Sequence, residues 1–139
     1  MARPKKEALD YFPLDCADST PVNLVTAKYG PPGYYVYIKL HQKIFGEKGY
    51  YLEWNDDVKI LFAREININP SLLQDVLTEL LNRGIFNSTL FTKHSVLTSE
   101  LIQKIYIDAT SKRTKVSIRK DYMLINTIDN PIPSHITIT

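Results

Sequence analysis

The chain has little that would tie it to a membrane, to the cell exterior or to redox chemistry. Its one cysteine, Cys16, has no second cysteine for an internal disulfide and suits a reducing compartment. No apolar run approaches the ~20 residues that span a bilayer. The N-terminus, MARPKKEALD, is basic but lacks the apolar stretch of a secretory signal, so a cytoplasmic protein is expected. Signs of catalysis are equally scarce. His41, His94 and His135 are scattered, and Cys16 has no His or Cys at metal-ligand spacing. There is no nucleotide-binding glycine loop and no carboxylate pair placed for acid–base work. The expectation is a binding protein with no catalytic residues, metal or cofactor. His41 falls on the apolar side of its segment and is expected to be a hydrogen-bonded core residue.

Net charge is also small, +2 over 139 residues, but its distribution is uneven. Residues 16–110 carry nine Lys/Arg against ten Asp/Glu, whereas residues 111–139 carry five against two, concentrated in SKRTKVSIRK. Arg3, Lys5 and Lys6 stand at the front of the chain. A near-neutral body with basic ends is the pattern of a protein that meets an anion with its extensions.

What is present is a strong order of elements. At 44% hydrophobic the chain can bury one core. Residues 1–15 predict an extended arm, since Pro4 and Pro13 resist helix and Tyr11, Phe12 and Leu14 offer apolar anchors. Residues 21–29 predict a short helix stopped by Gly30 and Pro31-Pro32, and a long helix runs from Pro32 to about Phe45, closed by Gly46 and Gly49. Tyr50–Glu53 has strand character. Asn55 then caps a helix buried through Val58, Leu61 and Phe62, and Asn69-Pro70 opens another, striped by Leu72, Leu73, Val76, Leu77, Leu80 and Leu81 and stopped at Gly84. Residues 85–97 predict two short strands, a wing. Thr98 caps a last helix to about Lys112, buried through Leu101, Ile102, Ile105, Tyr106 and Ala109. Beyond Asp121 two prolines and little charge predict a linker, an arm or a strand added to a partner. Strand, helix, turn, helix, strand is the centre of a winged helix-turn-helix. The expected fold is mainly α with a small β-sheet, divided into an arm (1–15), a winged-helix domain (16–120) and a C-terminal extension (121–139).

The segments ARPKKEALDYFPLD, YGPPGYYVYIKLHQKIF, GYYLEW, LFAREI, LLNRGIF and VLTSELIQKIY together resemble the N-terminal domain of phage and mobile-element replisome-organiser proteins, long catalogued as a domain of unknown function. The likeness covers about residues 2–122 and is similar in plan to the DnaD-type winged helix; between Leu14 and Tyr29 the chain departs from the family's more acidic and aromatic run. It implies a replication-initiation scaffold that binds DNA and self-associates as a dimer or higher oligomer; members of such families help recruit the replication helicase machinery, a contact that is not carried over to this chain. The helicase-facing region of such families follows the domain that is matched here.

Two surfaces compete as the DNA contact. As a recognition helix, residues 70–83 would present Ser71, Gln74, Asp75, Thr78, Glu79, Asn82 and Arg83, one positive charge against two negative, which is poor for approaching phosphates. The cluster Lys112, Arg113, Lys115, Arg119 and Lys120 is the better electrostatic footprint, helped by the Arg3, Lys5 and Lys6 arm. The bland alternative for the cluster is a solvated helix end. Tyr35, on one polar stripe with Lys39 and Lys43 at a spacing of four, and the arm's Tyr11 and Phe12 are candidate partner contacts. The alternatives to a DNA scaffold are a protein-interaction module without DNA affinity and a transcriptional regulator.

Overall fold

A computed structural model describes residues 7–126, 128, 129 and 131–139. Helix α1 (Thr20–Tyr29) starts at Ser19, whose hydroxyl accepts from the Val22 amide, and ends at Gly30, in the left-handed region at φ 70°. Helix α2 (Pro31–Glu47) follows at once. The two helices cross closely because Gly33 has no side chain; a Cβ there would lie 2.9 Å from the Tyr29 Cβ. Gly46 does not stop α2, as expected from sequence, but is absorbed into its last turn. The chain reverses at Gly49, φ 94°, where the Tyr106 ring and the Glu7 carbonyl occupy the space a side chain would need.

Strand β1 (Leu52–Glu53) leads into α3 (Asp56–Glu65) and α4 (Pro70–Asn82), the helix-turn-helix. Both expected caps form: Asn55 Oδ1 accepts from the Val58 amide and Asn69 Oδ1 from the Ser71 amide, each at 2.8 Å. Leu73, Val76, Leu77 and Leu80 of α4 are fully buried in one cluster with Val36, Leu40 and Ile44 of α2. Burial at this level contributes about 1.5–3 kcal/mol per large apolar side chain, which makes α2 and α4 the axis of the core.

The wing hairpin expected over residues 85–97 does not form. Asn87 caps a short helix, α5 (Ser88–His94, 7 residues), by accepting from the Leu90 amide at 2.8 Å, and Ser95 closes it in the left-handed region. The single strand β2 (Val96–Leu97) then pairs antiparallel with β1, Leu52 opposite Leu97. The result is a mainly helical fold with small sheets, compatible with a winged-helix plan in which a helix replaces one strand of the wing.

Helix α6 (Glu100–Ala109) is capped by Ser99, not Thr98, and ends short of Lys112. Thr98 is instead fully buried, its hydroxyl donating to the Tyr50 carbonyl and accepting from Gln103 Nε2. Leu61 and Leu101, expected inside, are both largely exposed, 69% and 65%, and Ala109 is exposed as well. Past α6, β3 (Val116–Ile118) and β4 (Ile136–Ile138) form a parallel pair, with a short 3-10 turn at Lys120–Tyr122 between them. The C-terminal segment therefore supplies a strand, as one of the sequence readings had it, but adds it to its own chain. Tyr122, Ile125 and Ile136 join the main core, as does Leu9 of the arm.

Candidate nucleic-acid interface

The outer face of α4 is exposed at Ser71, Gln74, Asp75, Thr78, Asn82 and Arg83, but part of it is engaged from within the molecule. Helix α1 packs beside it, and the Lys28 ammonium meets the Glu79 carboxylate at 2.8 Å, with Arg83 on the second carboxylate oxygen. The hydrogen bond from Lys28, with Arg83 behind it, holds the Glu79 carboxyl below its ordinary range. The Tyr29 hydroxyl donates to the Asp75 carbonyl. Gln74 accepts from Lys59 at 3.4 Å and donates to Thr78 at 3.2 Å. Of the residues expected to read bases, Gln74 is thus tied to its neighbours, and the basic side chains nearby are spent on acidic ones. A groove-reading helix needs free donors and a positive surround.

The basic segment is arranged differently. Burial alternates along β3, with Val116 and Ile118 inward and Ser117 outward, so the strand is pinned to the body while its flanks stand in solvent. Lys112 and Lys115 before it and Lys120 after it are exposed and form no ion pair among the described residues. Arg119 is half committed: its guanidinium lies 4.5 Å from the Tyr122 ring centroid and 3.8 Å from the Asp121 carboxylate. Its amide is held by the Tyr50 hydroxyl at 2.9 Å.

Arg113 has a structural task. Its guanidinium donates to the Ala8 carbonyl at 2.7 Å, across 105 residues of sequence, and the Leu9 amide donates to the Phe45 carbonyl at 2.8 Å. The N-terminal arm therefore enters the body at the basic segment. Arg3, Lys5 and Lys6 lie outside the described residues. The sequence brings no hint of the Ala8–Arg113 bond, since a backbone carbonyl carries no residue signature.

The partner-contact candidates separate. Phe12 stacks on Phe45 with ring centroids 4.7 Å apart, pinning the arm to α2, whereas Tyr11 is 85% exposed. Tyr35 is exposed with the Lys39 ammonium 5.7 Å from its ring, at the edge of a groove between α2 and α3. His41 is the core residue expected: Nδ1 lies 2.8 Å from the Tyr37 carbonyl, and its ring stacks on Phe86. No described helix is long and apolar enough to cross a membrane.

Residues 11–102 match the family described as Lin1244/Lin1753-like, N-terminal. The chain is 37% identical over 128 residues to the uncharacterized phage-related protein Lin1244/Lin1753 of Listeria innocua serovar 6a, an alignment that takes in 91% of this chain and 42% of that protein. The chain thus spans less than half the length of this relative. No solved structure matches it significantly. On the family match and on this identity, the chain belongs to the Lin1244/Lin1753-like family, through that family's N-terminal domain.

Proposed function

We propose that this domain is a non-enzymatic, cytoplasmic DNA-associated scaffold of the replication-initiation type, serving a phage or mobile element, and that it holds DNA through its basic segment without reading sequence. The observation that carries the reading is the contrast between two surfaces. On the helix that would read bases, Gln74, Thr78, Glu79 and Arg83 are tied up internally and the net charge is negative, leaving Asn82 as an exposed amide without a positive surround. Lys112, Lys115 and Lys120 stand exposed without ion pairs among the described residues, beside the point where the basic arm enters. Unpaired lysines flanking a fixed strand contribute counterion release on phosphate contact, a sequence-independent term. The relative in Listeria innocua is described as phage-related, which fits a phage or mobile-element role, and the replication part of the reading rests on the sequence resemblance to replisome organisers. Titration of unrelated duplexes at two salt concentrations tests it. Similar affinities that fall steeply with salt are expected; no binding at low salt refutes it.

A second reading, an interaction module whose winged helix serves self-association, is favoured by Ile60 and Leu61, adjacent and both more than half exposed on α3. Paired exposed aliphatics on a helix are a normal beginning of an interface. This reading expects a dimer in sedimentation at micromolar concentration, and a monomeric mass removes it.

A further inference from the structure

Between the arm, α2 and α6 lies a hollow of about 230 Å³. Its walls are Phe12, Tyr37 and Phe45 on one side and Ile102 and Ile105 on the other, with His41 among them. Its rim carries Leu14 and Leu101, both substantially exposed, together with the carboxylates Asp15 and Asp18. The volume matches one large side chain, and a mostly apolar wall with a few placed polar atoms is the composition of a binding pocket.

His41 gives the hollow its chemistry. The residue is 9% exposed, and burial pushes its imidazole down to about 4, so the ring is neutral near pH 7. Nδ1 faces the Tyr37 carbonyl, which only accepts, so Nδ1 carries the proton and Nε2 is a bare acceptor. Nε2 has no hydrogen-bond partner among the described residues, and no sealed side-chain polar atom among them lacks one. Nε2 is therefore not sealed, and His41 lines the hollow. At the rim, Asp18 accepts from the Tyr34 hydroxyl at 3.3 Å, and burial, then Asp18, Tyr34 and Asp15, raise the Tyr37 hydroxyl above its ordinary range. Both carboxylates thus bear on one side of the opening. No Lys or Arg lines it among the described residues, and neither carboxylate has an ion pair there.

We propose that this hollow is a docking site for a partner protein, taking a tryptophan or tyrosine whose ring N–H or O–H donates to His41 Nε2, beside a lysine or arginine that pairs with Asp15 and Asp18. An aromatic donor fits the depth, because a bare acceptor among rings rewards a donor on an apolar body. A cation fits the rim, where the two carboxylates face solvent uncompensated. Leu14 and Leu101 supply the apolar collar that surrounds an anchor residue. No residue of the basic segment lines the site, so it goes beyond the DNA reading and stands or falls separately.

Tryptamine, an indole with an alkylammonium, is the probe, read by the 15N signal of His41 Nε2 and the methyl signals of Leu101 and Ile105. Saturable shifts at millimolar tryptamine are expected. 1-Methyltryptamine, which lacks the ring donor, should bind at least about tenfold more weakly, the scale of one lost hydrogen bond. Indole-3-propionate, with the opposite charge, should give no saturable shift. Asp15→Asn with Asp18→Asn, changes at the rim that spare the core, should weaken tryptamine severalfold while leaving the fold's amide spectrum in place. Equal shifts from all three compounds, tryptamine binding unchanged by the double variant, or no shift at His41 would each overturn the proposal.

Discussion

Gln103 is the side chain on which the C-terminal segment hangs. It is fully buried, its Nε2 donating to the Tyr122 carbonyl at 2.7 Å and to Thr98 Oγ1 at 3.2 Å, and its Oε1 accepting from the Leu124 amide at 2.8 Å. Gln103→Leu keeps the volume and removes all three bonds. The Thr98 hydroxyl retains its donation to Tyr50, so two backbone groups are orphaned, the Tyr122 carbonyl and the Leu124 amide. At about 1–3 kcal/mol for each buried group left unpaired, with Leu124 only half-buried, the expected loss is about 3 kcal/mol. For a domain of this size that lowers the melting temperature by roughly 10 °C. Urea unfolding gives the energy, and amide hydrogen exchange locates it: Leu124 should lose protection while Leu77 keeps its own. A cost below about 1 kcal/mol with Leu124 protected as before would refute the claim that this network anchors the segment.

Leu77→Ala, at a fully buried position facing α2, should cost about 2–5 kcal/mol in the same unfolding experiment; unchanged stability would dismiss the α2–α4 core. His41 adds a pH dependence. Its folded value, about 4, is below the ordinary 6.5, so the unfolded chain takes the proton first as pH falls. The associated stability is whole above pH 6.5 and is lost on the way down to about 4, to an extent of roughly 3 kcal/mol. His41→Met should flatten that part of the stability–pH profile, and parallel profiles for the two proteins would contradict the burial argument. Arg113→Met should release the arm, seen as faster exchange of the Leu9 amide, whose bond to Phe45 lies next to the Ala8 carbonyl that Arg113 holds.

Helices α3 and α4 were legible because Asn55 and Asn69-Pro70 mark their starts ahead of a readable apolar stripe, α1 and α2 because Gly30, Pro31 and Pro32 mark their shared boundary, and α6 because a hydroxyl residue precedes its apolar stripe. The shift of the α6 cap from Thr98 to Ser99 shows the limit of such signals, since two adjacent hydroxyl residues look alike until one is buried. Helix α5 was missed for a physical reason. Over seven residues only Leu90 is fully buried, too few for a period to appear, and the Thr and Phe residues around it favour strands as well. Asn87 serves equally as a turn residue and as an N-cap. The β3–β4 pair could not be read because parallel pairing joins segments eighteen or more residues apart, with no hairpin turn to announce it. At the site, the exposed lysines were visible as a charge run, but Arg113's commitment to Ala8 and the masking of α4 by Lys28 are long-range contacts that charge counting cannot reveal.

The most direct test of DNA binding by the basic segment is the salt dependence of affinity in a variant with Lys112, Lys115 and Lys120 all changed to Gln. Arg113 is left intact, because it holds the arm. Each phosphate contact contributes about 0.9 to the slope of log affinity against log salt, so the variant's slope should be shallower by about 2–3, equally on unrelated duplexes. Gln74→Ala with Asn82→Ala should leave affinity and slope almost unchanged. A triple variant that binds like the parent, with a Gln74/Asn82 variant that loses preference for one sequence, would contradict the account and return α4 to the role of reader.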